Sequence, residues 1–376
     1  MKIVIAADSF KNCLTSREVV TALAAGFRHA LPAAELVELP LADGGEGTVE
    51  ALVTACGGEY RKCKVCGPLG TPVEARYGVI DGGATAVIEM AAASGIELVQ
   101  PSELNPLEAT TFGTGELIAD ALSSGVRKII VGIGGSATCD GGAGMAQALG
   151  YRFFDSNGRE LRTPLRGGML DSVAAVRPPQ KKLFEGCEIR VACDVNNPLL
   201  GGHGCVNVFA PQKGATPEML PVLEENLSRF AETVIAAGLS EGCDRPGDGA
   251  AGGLGFGLRS FLGARMGSGA ALILAAAEFE RHVCGADWVV TGEGKTDDQT
   301  LSGKLCCTVA ETAARHDVPT IVVSGAVGGD INALLKCFAA VFSATPGPCS
   351  LESAIGNARE NLFRTAASLG RLLREA

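Results

Sequence analysis

KIVIAADSFKNCLTSREVVTALAAGFRHALP, residues 2–32, decides what kind of fold this chain makes. KIVIAA is an apolar run without polar alternation, the pattern of a strand covered on both faces. Thr15 stands three residues before Glu18, a capping box, and Val20, Leu23, Ala24, Phe27 and Leu31 then recur at helical spacing until Pro32 stops them. A second apolar run follows at 35–41. Strand, helix and strand in that order predict a right-handed parallel crossover.

The last hundred residues repeat the pattern. Strands are predicted at 287–291, 319–324 and 338–342, with helices near 304–316 and 330–337 and a C-terminal helix over 350–373. Five such strands make a doubly wound α/β sheet. The middle has a different texture: a hairpin at 73–80 and 84–90 around Asp81-Gly82-Gly83, a helix at 114–124, strands at 128–133 and 188–193, and turns over 151–188. A helix is expected to begin at Pro217 with Thr216 as its cap. The reading is therefore one α/β domain built from 1–72 and 280–376, with a second mixed α/β domain, 73–279, inserted in it. Ligands of open parallel sheets sit beyond the carboxyl ends of the strands.

Composition narrows the function. The formal charge of −10 and the lack of long Lys/Arg runs oppose nucleic-acid binding. No uninterrupted apolar stretch is long enough for a membrane span, and KIVIAADSF lacks a signal-peptide plan, so a cytoplasmic protein is expected. The 14 cysteines lie mostly in apolar segments, and the four histidines are scattered, which argues for reduced thiols rather than disulfides or zinc. The 51 glycines gather in clusters such as DGGEG at 43–47, GIGGS at 132–136, GDGAAGGLGFG at 247–257 and TGEG at 291–294. Such loops let backbone approach a ligand closely.

VVTGEGKTDDQT, residues 289–300, nearly spells a phosphate-binding P-loop, but the glycine required five residues before Gly294-Lys295 is Val289. A strand residue there cannot supply the nest of N–H groups. Better candidates stand at strand ends: Asp8 with Ser9, Asp43 with Gly44, Gly45 and Glu46, Asp194, and Glu293. Acids so placed suit magnesium or proton transfer. Lys11, Lys213 beside Gln212, and Lys304 fall near helix starts, where a cation is misplaced unless an anion joins it. Gly134, Gly135 and Ser136 add a loop of backbone donors. Acids, lysines and glycine loops are the parts of a phosphotransferase. No G-x-G-x-x-G follows the first strand and Ser136 is not in a G-x-S-x-G elbow, so dehydrogenase and hydrolase readings fall behind.

IAADSFK, LPLADGGEGTVEALV, AVIEMAAASG, NPLEATTFGTGELI, GIGGSATCDGGAGMAQALG, VACDVNNPLLG, PQKGATPE and VVTGEGKTDDQT together resemble the bacterial glycerate kinases that form 2-phosphoglycerate. The resemblance runs nearly the full length. It implies a flavodoxin-like doubly wound domain with a second α/β domain inserted, and transfer of the γ-phosphoryl group of ATP, with Mg2+, to D-glycerate. It also carries over Glu293, Asp297, Gln299 and Thr300 from the TGEGR-x-D-x-QT loop, and Asn197 from the CDV-x-NPL segment. Asp194 and Asp297 are then the expected metal ligands, and Asp194, Asp8, Lys11 and Lys213 the expected catalytic groups, with Asp194 ahead of Asp8 as base. The chain departs from the family at Lys295 for Arg, Cys139 for Asn, Asn196 for Asp, Ala210 for Gly, Ala7 for Pro, and Ala271 where a Glu is usual. Those departures keep two alternatives in view: a kinase for another small hydroxy acid, or an inactive sugar-acid or nucleotide sensor. A monomer or homodimer is expected.

Overall fold

The fold follows from where the apolar runs pair. In the computed structural model, which describes residues 1–301 and 303–375, the chain forms two compact units. The first comprises Met1–Asp43, Glu50–Gly58 and Ser268–Ala376. Its sheet has five strands, Lys2–Ala7, Glu35–Pro40, Trp288–Thr291, Thr320–Ser324 and Ala340–Ser343. All pair in parallel, in the spatial order fifth, fourth, third, first, second. Successive crossovers therefore diverge between the first and third strands, the switch point at which such sheets leave room for a ligand. Ile3, Val4, Ile5, Val289, Val290, Val322 and Val323 are fully buried, as apolar runs without alternation require.

The helix Ser16–Ala30 carries the expected capping box: Glu18 N donates to Thr15 Oγ1, and Thr15 N donates to the Glu18 carboxylate. It lies against the last helix, Ala358–Glu375. A Cβ on Gly26 would stand 2.3 Å from the Phe363 carbonyl oxygen, so glycine alone permits this approach. The C-terminal segment is two helices rather than the single one expected. Leu351–Gly356, capped by Ser350 Oγ accepting from Ser353 N, is separated from Ala358–Glu375 at Asn357, whose φ −106 and ψ 10 leave the helical range.

The second unit, Gly44–Val49 with Glu59–Gly267, holds a six-stranded mixed sheet. Its order is Arg265–Gly267, Glu188–Ala192, Lys128–Gly132, Thr85–Glu89, Pro72–Ile80, Glu59–Cys66. The predicted hairpin is present, with Val79 opposite Ala86. Glu59–Cys66 pairs antiparallel with Pro72–Ile80, so this sheet begins ahead of residue 73. The helix expected at Pro217 begins instead at Met219. Thr216 lends its side chain to the Glu218 carboxylate and its carbonyl to Met219 N, which makes a turn before the helix and no cap. A helix unmarked in the sequence, Ala250–Leu262, starts through three left-handed residues, Ala251, Gly252 and Gly253. A Cβ on Gly252 would meet the Thr138 carbonyl oxygen at 1.8 Å. No helix among the described residues is long and apolar enough to cross a membrane.

Candidate active site

The first unit opens a cavity of about 870 Å³ at the carboxyl ends of its strands, within the range of small-molecule sites. Asp8, Ser9, Lys11, Asp43, Glu293 and Lys304 all line it. Asp8 ends the first strand. Burial and the neighbouring Asp43 carboxylate push its pKa up to about 7, against donation from Ser9 N at 2.6 Å and the pull of Lys11. Lys11 Nζ stands 4.0 Å from Asp43 Oδ2 and is largely in solvent, so it remains available to an incoming anion.

The TGEGKTDDQT segment is folded upon itself. Glu293 Oε1 accepts from Thr296 Oγ1 at 2.9 Å and from Thr300 Oγ1 at 2.6 Å, while burial pushes the Glu293 carboxyl above its ordinary range. Lys295 Nζ pairs with Asp297 Oδ2 at 2.9 Å, and that contact together with Gln299 N holds Asp297 below the usual carboxylate range. Lys304 Nζ donates to Gln299 Oε1 at 3.2 Å. Lys295-Thr296 pairs as a short strand with Ala326-Val327 and opens no helix. The segment is no P-loop, as Val289 implied. Asp297, Gln299 and Thr300 are not among the residues that line the cavity.

The second unit gathers another part of the expected set. Gly44, with φ 95, brings its carbonyl to the strand end at Gly132, where a Cβ would stand 2.6 Å from it, and Gly45 lies against Gly134 in the same way. Lys213 is 1% exposed, and its Nζ donates to Ser136 Oγ at 2.6 Å and to the Thr138 carbonyl at 2.7 Å. Both acceptors are neutral, and among the described residues no carboxylate pairs with this ammonium. Asp194, the first choice for the base, is exposed, as are Glu46 and Gln212, and Asn197 Nδ2 donates to the His203 carbonyl at 2.8 Å. These four are not brought into the Lys213–Ser136 contact.

Two carboxylates were missed. Glu89 ends the strand Thr85–Glu89 and accepts from Val49 N at 2.8 Å, which anchors the chain just past Gly44–Glu46; burial raises its pKa. The strand-end rule that found Asp8 applies to it equally. Asp140 is fully buried in the loop after Ser136 and accepts from Thr111 N, Thr111 Oγ1, Gly142 N and Gly144 N. No sequence pattern announces a partner 29 residues away.

Among the described residues no three His, Cys, Asp or Glu side chains converge into a metal cage. The oxygen donors at the cavity, Asp8, Asp43 and Glu293, still fit magnesium, which usually takes one or two carboxylates and keeps its waters and the substrate's phosphates.

Comparison with known proteins extends the resemblance from motifs to the whole chain. Residues 3–374 match the profile described as the Glycerate kinase family. The chain is 47% identical over 371 residues to the "Glycerate kinase" of Bacillus subtilis (strain 168), covering 98% of this chain and 97% of that one. It is 44% identical to the "Glycerate 2-kinase" of Escherichia coli (strain K12), covering 99% and 98%. A crystal structure from Salmonella typhimurium LT2, assigned provisionally as glycerate kinase 2, superposes with a TM-score of 0.90 at 45% identity over 100% of this chain and 98% of that one.

Proposed function

The chain belongs to the glycerate kinase family and is an ATP-dependent phosphotransferase that converts D-glycerate to 2-phosphoglycerate; from that premise we propose how its residues divide the work. The observation that carries the division is Asp8, a cavity-lining carboxyl held near neutrality by burial and by Asp43. A general base works best with a pKa close to the working pH. Asp8 therefore replaces Asp194 as the first choice to take the proton of the 2-hydroxyl, since Asp194 is exposed.

Lys11 and Lys304, at the same cavity, offset charge on the transferring phosphoryl group, and Ser9 fixes the Asp8 carboxylate by its N–H. Glu293, tied by Thr296 and Thr300, sets the shape of the wall, with Asp297 and Gln299 as its braces. In the second unit, Lys213 with Ser136 makes an anion-binding contact of its own, because a buried ammonium on two neutral oxygens gains most from a charge-assisted bond. Gly44, Gly45, Gly134 and Gly135 offer backbone, and Glu46, Gln212 and Asn197 polar side chains, around those loops. Magnesium would be held at the cavity by Asp43 and Glu293 and would neutralise phosphate charge when bound. The order of strands in the first sheet is that of a flavodoxin-like fold, and we assign it so.

The test is a coupled assay. Protein with ATP, magnesium and D-glycerate should yield a product that enolase dehydrates without phosphoglycerate mutase. Signal that needs the mutase would mean 3-phosphoglycerate, and absence of ADP would return the reading to another acceptor or to a sensor.

A further inference from the structure

The cavity of the first unit is two-sided. Its charged side is described above; its other side is built from small and apolar residues, among them Ala344, Leu351, Ala354, Ile355 and Ala358. Three alanines keep a slot open where larger side chains would close it. Leu351 and Ile355, on the short helix Leu351–Gly356, are 77% and 37% exposed, an arrangement that favours a flat apolar group covering them. Cys13 Sγ lies 3.6 Å from the Ile355 carbonyl, so the turn after the first strand and this helix are joined at the slot.

One polar side chain interrupts the apolar wall. Asn361, in the first turns of the last helix, is 7% exposed and lines the cavity. Its backbone carbonyl accepts from Thr365 Oγ1 and its N–H donates to Asn357, but no described group takes or offers a bond at its side-chain amide. The amide is thus open to the cavity, where a ligand can meet it with both a donor and an acceptor. An amide pairs in two bonds with the 6-amino group and adjacent ring nitrogen of adenine.

We infer that the slot between Ala344, Ala354, Ala358 and Leu351 is the subsite for the adenine base of the nucleotide, and that Asn361 reads its 6-amino edge. The inference rests on ATP being the phosphoryl donor, and it sets the nucleotide's direction: base toward the last helix, phosphates toward Lys11 and Lys304. Recognition of the base is then separate from recognition of the phosphates, because no lysine lines the apolar side.

Two measurements test it. In the wild-type protein, maleimide modification of Cys349, an exposed thiol on the cavity wall, is followed by mass spectrometry with Cys284, exposed and away from the cavity, as internal reference. ADP should slow Cys349 strongly and leave Cys284 unchanged, whereas pyrophosphate should slow neither. Calorimetry then compares ADP with inosine diphosphate, which lacks the 6-amino group. Asn361→Leu should weaken ADP by about 10-fold, the usual effect of losing buried hydrogen bonds, abolish the preference over inosine diphosphate, and leave pyrophosphate binding unchanged. An unaltered ADP preference, or full modification of Cys349 at saturating ADP in a protein that still phosphorylates glycerate, overturns the subsite alone. Absence of ATP turnover in the wild type overturns the reading on which it stands.

Discussion

Asp8 and Asp140 are both loop carboxylates that burial pushes toward protonation, and they do opposite things. Asp140 has four donors aimed at it, from Thr111, Gly142 and Gly144, and no solvent. Asp8 has Ser9, a second carboxylate, and an open cavity. Hydrogen bonds that saturate a buried carboxylate make it a brace, whereas burial without saturation leaves proton affinity for chemistry. The lysines repeat the contrast. Lys295 is solvated and paired with Asp297, while Lys213 is enclosed on two neutral oxygens.

The comparison breaks first at Asp8. Asp8→Asn is expected to keep the fold and to lower kcat by about 100-fold or more, the usual worth of a general base. Steady-state rates with saturating ATP and glycerate check it, and wild-type-like kcat would move the base elsewhere. In the parent enzyme kcat/KM should rise with pH through about 7, the value at which Asp8 deprotonates, and the Asn variant should lack that limb.

Asp140→Ala should do the reverse. Leaving three buried backbone N–H groups and a threonine hydroxyl unpaired costs about 3 kcal/mol or more, read as a lower urea midpoint. Residual folded protein should keep a kcat close to the parent's.

The smaller effects sharpen the contrast. The pKa of Asp8 rises from 3.8 to about 7 on folding, so its contribution favours the fold fully below 3.8 and is lost as pH climbs toward 7. Asp8→Asn, which mimics the protonated form, should then be more stable than the parent above that window and equal to it below; urea titrations at both ends decide. Smallest of all, Lys295→Arg should retain at least about a third of kcat/KM, since an exposed ion pair contributes little and Arg replaces it. A loss near that of Asp8→Asn would restore a phosphate role to Lys295.

What the sequence disclosed follows from the range of the forces. Parallel strands are announced by apolar runs, and the capping box by two residues three apart, so the first sheet and the helix Ser16–Ala30 were legible. Glu59–Cys66 was not, because an edge strand with polar residues on both faces reads as a loop. Ala250–Leu262 hid behind glycines that serve close packing on Thr138 and Gly141 rather than a turn. Likewise Asp8 and Glu293 announce themselves by ending strands, whereas Asp140 and the lone amide of Asn361 acquire meaning only from partners, or their lack, across the fold.

The contact at Gly26 bears on how the chain is made. Synthesis delivers the helix Ser16–Ala30 long before the helix Ala358–Glu375 that covers it, and the first strand long before its neighbour Trp288–Thr291. The second unit lies almost wholly in the uninterrupted stretch Glu59–Gly267 and can close while the ribosome is still working. Val19, Leu23 and Phe27 meanwhile wait without their last partners, Leu362, Ala366 and Leu369. The nascent chain thus carries an unfinished, sticky segment, Ser16–Ala30, until the helix Ala358–Glu375 has been made, and the cavity-bearing unit is completed only then.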